Sequence, residues 1–125
     1  MILQPTSPQR DPARMADAIS WFCQSGFESM ISCYEDAYVN PAVMYDLTDD
    51  GVTLQGLAES HGSQLRRQDH SPIFIRTGVL YLVSINYFRT TGRIISDSPA
   101  LYRVSRREAI DLDTPEDLEL LRALL

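Results

Sequence analysis

Two periodicities divide the chain. Met15, Ala18, Ile19 and Phe22 recur at helical spacing behind Asp11-Pro12, a cap residue followed by a proline, and Gly26 closes the stretch. That spacing predicts a helix to about Ser25 with those four side chains facing inward. Met1 to Gln4 is a short apolar run stopped by Pro5, expected to be the end of a buried strand, and Pro5-Thr6-Ser7-Pro8 reads as a loop. Ser29 to Tyr34, Gly78 to Ile85 and Leu101 to Val104 are further strands, of which the second is the clearest. Asn86 to Thr91 predicts a short helix ended by Gly92. Between Glu35 and Gln68 the pattern weakens, although Val43 to Leu47 and Val52 to Leu54 flank Asp49-Asp50-Gly51 as a hairpin. The last helix, Pro115 to Leu125, carries Leu118, Leu121 and Leu125 on one face. Strands alternating with helices imply an α/β fold, layered, with a mostly parallel sheet.

The segment Ile110-Asp111-Leu112-Asp113-Thr114-Pro115-Glu116-Asp117 adds chemistry to this pattern. In a strand, alternate residues share a side, so Asp111 and Asp113 would face one way while Ile110 and Leu112 face the core. Two like charges held that close repel unless a proton or cation neutralises them, and a hard ion such as Mg²⁺ suits oxygen ligands. Thr114 then reads as an N-cap and Pro115 as the first helical residue, with Glu116 and Asp117 favoured by the helix dipole. A polar strand-to-helix turn explains the same residue types.

Composition narrows the function classes. At 125 residues and 44% hydrophobic, the chain has room for one core, and a net charge of −6 argues against a nucleic-acid or membrane-surface binder. No apolar run approaches the roughly 20 residues that span a bilayer, and a cytoplasmic protein with reduced, buried Cys23 and Cys33 is expected. All eleven basic residues are arginine, so no lysine is available as a phosphate clamp or Schiff base. The six glycines are scattered and form no phosphate-cradling loop. Asp49-Asp50-Gly51 lacks the other oxygen ligands of a calcium loop and reads as a turn, and His61 and His70 read as surface histidines.

Several separated segments together resemble the cytidylyltransferases that activate acidic sugars, the CMP-sialic acid synthetase family. Leu3-Gln4-Pro5-Thr6-Ser7-Pro8 with Arg10 is similar to that family's L-Q-P-T-S-P-x-R loop. Arg67-Gln68 followed by Gly78 resembles its R-Q … N-G-A-I-Y segment, and Ala109 to Leu118 resembles its S-I-D-I-D-T-P-E-D-L terminus. The resemblance implies an incomplete Rossmann-like nucleotidyltransferase layer sandwich. The chain is expected to form a single partial domain, residues 1–125, with a small dimerisation insertion at about 38–77. The family's N-terminal glycine- and lysine-bearing CTP loop has no counterpart here, so a missing N-terminal half is expected.

The implied reaction is transfer of CMP from CTP to an acidic sugar with release of pyrophosphate, in surface glycan biosynthesis. Asp111 and Asp113 match the family's catalytic Mg²⁺-binding aspartates. Gln4 matches a glutamine near the sugar, Arg67 an arginine on the acidic-sugar side, and Thr77 stands where the family has a substrate-contacting asparagine, with Arg76 beside it. Pro41-Ala42-Val43-Met44 replaces the family's P-x-K-M, so a cationic contact to the sugar carboxylate is absent. A homo-oligomer is implied. The competing expectation is a non-catalytic remnant that acts as a dimerising or interaction module.

Overall fold

A computed structural model describes residues 1–36, 38–58 and 71–124. The Asp11-Pro12 signal starts α1 (Pro12–Ser25), where the Asp11 carboxylate accepts the N–H groups of Ala13 and Arg14 at 3.0 and 3.2 Å. Gly26, at φ 77°, ends the helix in the left-handed region that glycine enters without steric cost. Met15 is buried and Ala18, Ile19 and Phe22 pack against the core, so the expected inward stripe is the one observed.

Chain contacts divide the molecule into two compact units, Met1–Tyr34 with Ile75–Leu125, and Glu35–Phe74. In the first, β1 (Ser29–Asp36) lies between β4 (Ile73–Val83) and β5 (Ala100–Arg103). β1 and β5 run parallel, Met30 opposite Ala100 and Cys33 opposite Arg103. β4 runs the other way, since the Ser84 N–H just past its end donates to Glu28 O just before β1, at 2.8 Å. The fold is therefore α/β, but the sheet is small and mixed where a mostly parallel one was expected. The apolar pattern of a strand does not encode its direction. Thr77 to Leu82 are all buried, so β4 is covered on both faces, and Leu80 and Leu82 meet Met30, Ala100, Tyr102 and Val104 in the core.

Three other expectations change. Met1 to Gln4 is exposed and joins β4 through one antiparallel bridge, Ile2 to Tyr81, in place of a buried strand end. Ile85, expected to finish the strand, instead opens α2 (Ile85–Thr91), because the Ser84 hydroxyl accepts the Tyr87 N–H and caps a helix there. Cys33 is buried but Cys23 is exposed on α1; both are free thiols. Among the described residues no helix is long and apolar enough to cross a membrane.

The second unit contains a short 3₁₀ turn (Pro41–Val43) and the antiparallel pair β2 (Tyr45–Leu47) and β3 (Leu54–Gly56), with Leu47 opposite Leu54. Its turn is held by Asp50, whose carboxylate accepts the N–H groups of Val52 and Thr53 at 2.9 and 2.8 Å and the hydroxyls of Thr48 and Thr53. Those bonds, the Thr53 hydroxyl first, hold the Asp50 carboxyl well below the usual carboxylate range. Its oxygens are thereby used by the turn, as the plain-turn reading requires.

Arg14 fastens α1 to the far side of the core. Its guanidinium bonds Glu108 Oε1 and Arg103 O, each at 2.8 Å, and lies 5.6 Å over the Tyr102 ring. Burial pushes the Glu108 carboxyl up, but the backbone N–H and hydroxyl of Ser105 and the Arg14 cation outweigh it, leaving the group below the usual glutamate range. A depressed folded value means stability present above the unfolded glutamate pKa and lost as pH falls through the folded one. Urea titrations across the acid range should show Glu108→Gln losing up to about 1 kcal/mol at neutral pH, with the difference from wild type vanishing in acid. Parallel pH profiles for the two proteins would contradict this.

Candidate functional site

The first segment that carries the resemblance meets Gly78 on β4, while Arg67 and Gln68 lie outside the described residues. Ile2 exchanges both backbone hydrogen bonds with Tyr81, at 2.8 and 3.0 Å, and Gln4 N–H donates to Gly78 O at 3.1 Å. The chain then turns at Pro5-Thr6, where Ser7 N–H donates to Gln4 O at 3.1 Å, and comes back toward α1. The Gln4 side chain lies directly over Gly78. A Cβ placed there would overlap its carboxamide and approach Ser7 Oγ to 2.7 Å. Ser7 is 1% exposed and its hydroxyl has no hydrogen-bond partner. Arg10 closes the loop, with Nε donating to Val79 O at 3.0 Å and Nη2 to Gln4 O.

The acidic segment reaches the same loop through one bond, Leu112 N–H to Thr6 O at 2.8 Å. It is not a strand. Residues 110–113 are an irregular lead into α3 (Pro115–Leu124), and no ladder continues past that single bond. The helix start explains why. Asp117 Oδ2 accepts from Asp113 N–H at 3.1 Å and from the N–H and hydroxyl of Thr114 at 2.8 Å each. Thr114 Oγ1 accepts the Asp117 N–H at 3.2 Å, completing a reciprocal capping box that draws these backbone donors away from any sheet. The Thr114 hydroxyl leads the bonds that hold the Asp117 carboxyl below the usual range. Asp113 is exposed, whereas Asp111 is partly buried, with Oδ1 out of solvent and without a hydrogen-bond partner. Of the last helix's expected inward leucines, Leu121 is buried and Leu118 is exposed; Leu125 lies outside the described residues.

A buried carboxylate oxygen with no donor is costly unless a cation or a donor from a ligand meets it. Among the described residues no three His, Cys, Asp or Glu side chains gather as a ready metal set. The one observation that bears on a cation is the unpartnered Asp111 oxygen, a donor of the kind that hard divalent ions such as Mg²⁺ take.

Two of the other expected site residues fare differently. Thr77 turns inward: its hydroxyl donates to Ser32 Oγ at 2.8 Å, its carbonyl accepts from Ser32 Oγ at 3.0 Å, and it is buried. Thr77, expected to contact substrate, is placed here within the sheet, with its hydroxyl on Ser32 of β1. Arg67, with His61 and His70, lies outside the described residues. Sequence reasoning did not single out Ser7, Gly78 or Arg10 as parts of one seat; the only signal was their membership in the two motifs. A groove of about 550 Å³ beside the loop is lined by Gln9, Arg10, Arg107 and Glu108 among others, and includes neither Gln4 nor Asp111. No family model matches the chain, and no curated protein matches it significantly.

Proposed function

We propose that this chain carries the acidic-sugar and metal side of a nucleotidyl transfer, in which CMP passes from CTP to an acidic sugar and pyrophosphate leaves. The observation that favours this reading is the orphaned oxygen of Asp111 beside a segment hydrogen-bonded to the Gln4 loop. Two stretches far apart in sequence support it further: the Gln4 loop is bonded to Gly78 at one point and to the acidic segment, at Thr6, at another.

In this reading the sugar hydroxyl attacks the α-phosphorus and the bond to pyrophosphate breaks. Asp111 and Asp113 would hold Mg²⁺, which when bound supplies charge neutralisation for the phosphates. Gln4, anchored by its backbone to Gly78, presents a carboxamide that can donate and accept toward sugar hydroxyls or carboxylate. The buried Ser7 hydroxyl offers a second neutral donor at the same place. A Rossmann-like layering, a cytoplasmic location and assembly into homo-oligomers belong to the same proposal.

A second reading, an interaction module without catalysis, is favoured by the second unit, where Val43, Leu47, Val52, Leu54 and Leu57 are all exposed. So many apolar side chains on a unit of this size suit association with a second copy.

Pyrophosphate release should be measured with CTP, Mg²⁺ and a panel of acidic 2-keto sugars, beside calorimetric binding of the same compounds. Release that requires both metal and sugar supports the transferase, and Mg²⁺-dependent binding of CTP with sugar supports it more weakly. Neither release nor binding, together with concentration-dependent oligomers, would replace it with the interaction module.

A further inference from the structure

We infer that Arg10 is a positioning residue, whose guanidinium replaces a missing rung between the first segment and β4 and thereby seats the Gln4 carboxamide over Gly78. The inference takes from the proposed function only the assignment of Gln4 to the sugar side.

The argument begins with register. Ile2 and Tyr81 form a hydrogen-bonded antiparallel pair, and a regular ladder would next pair Gln4 with Val79. Gln4 N–H goes instead to Gly78 O. Gly78 and Val79 therefore both face Gln4, which is a β-bulge, and bulges re-aim side chains. The slip leaves the carbonyls of Gln4 and Val79 without their ladder donors.

Arg10 reaches both, Nε supplying Val79 O at 3.0 Å and Nη2 joining the Ser7 N–H of the turn on Gln4 O, so that one side chain ties the two strands together. A rigid planar fork suits two carbonyls on two strands, which a lysine ammonium on a flexible stem does not. On the opposite side of β4 the Ser32 hydroxyl performs the equivalent task, accepting the Leu80 N–H at 2.9 Å. The bulge is thus braced from both sides by side chains. Its product is the seat: Gly78 has no Cβ to obstruct the Gln4 carboxamide, and the unpartnered Ser7 hydroxyl borders the same space.

The test uses Arg10→Lys and Gly78→Ala in the whole chain. The first removes the fork; the second keeps Arg10 but fills the seat. Amide hydrogen exchange at Gln4 and Ser7 should accelerate about tenfold in Arg10→Lys, the loss of one charge-assisted bond, while exchange at Met30 and Leu82 stays unchanged. Both variants should shift the Gln4 side-chain amide resonances. With an acidic sugar that the wild type turns over, its KM should rise about tenfold in both, with kcat and the KM for CTP unchanged. In a Gln4→Ala background neither substitution should raise that KM further, a coupling that loss of general stability would not produce. Unmoved Gln4 resonances in Gly78→Ala, or unchanged Gln4 exchange in a folded Arg10→Lys, would overturn the inference. Moved resonances in a protein that binds no sugar would uphold it and overturn the proposed function instead.

Discussion

Leu80→Ala is expected to lower the unfolding free energy by about 3 kcal/mol, the largest stability loss foreseen for a single side chain here. Leu80 is 0% exposed on β4 and belongs to the core cluster that includes Met30, Ala100, Tyr102 and Val104. Truncation removes the transfer free energy of three carbon atoms and leaves a cavity that a strand buried on both faces cannot collapse into. Leu101, on the edge strand β5 and 46% exposed, is the contrast, and Leu101→Ala should cost under about 1 kcal/mol. Urea unfolding with an unchanged m-value reads both. A Leu80→Ala protein within about 1 kcal/mol of wild type would mean that the core is not centred on this strand.

Asp111→Asn should separate stability from function. Without metal, Oδ1 of Asp111 has no partner, so neutralising the side chain should leave stability unchanged or raise it by about 1 kcal/mol. With Mg²⁺ the order reverses. An ion that binds only the folded state stabilises wild type by about 2.7 kcal/mol at a hundredfold excess over its Kd. Asp111→Asn should lose most of that response, along with at least about a hundredfold in turnover if the proposed transfer is the activity. Glu116→Gln, an exposed first-turn acid, should keep the whole Mg²⁺ response. Thermal melts with and without Mg²⁺ decide the matter: equal metal shifts in wild type and Asp111→Asn would remove Asp111 as a ligand.

Local signals were read correctly at α1 and at the Asp50 turn, though the Ser84 cap that opens α2 was missed. Asp11-Pro12 and Gly26 bracket α1 because a cap carboxylate, a proline and a left-handed glycine act within one turn. Asp49-Asp50-Gly51 marks a turn because the Asp50 carboxylate satisfies donors two and three residues on. Misreadings gathered where strand pairing had to be guessed. Alternation placed Asp111 and Asp113 on a strand, but a strand requires a neighbour with free backbone groups, and the capping box competes for the Asp113 and Thr114 donors. Met1 to Gln4 resembles a buried strand by hydropathy, yet it is exposed and joins β4 through a single bridge to Tyr81.

The candidate site divides along the same line. Gln4, Asp111 and Asp113 were proposed from residue type and motif order, because carboxylates and amides announce their chemistry. That Thr77 faces Ser32 follows from which side of β4 meets β1, a fact of pairing. Arg10 carries no mark that distinguishes it from ten other arginines; its role arises where a one-residue slip breaks the ladder between Gln4 and Val79, 75 positions apart in the chain, and its guanidinium bonds both carbonyls. Helix ends, turns and the inventory of reactive groups follow from bonds that reach a few residues. Strand direction, register and the orientation of each site residue depend on contacts across the whole length, where many pairings satisfy the same apolar pattern and close packing selects one.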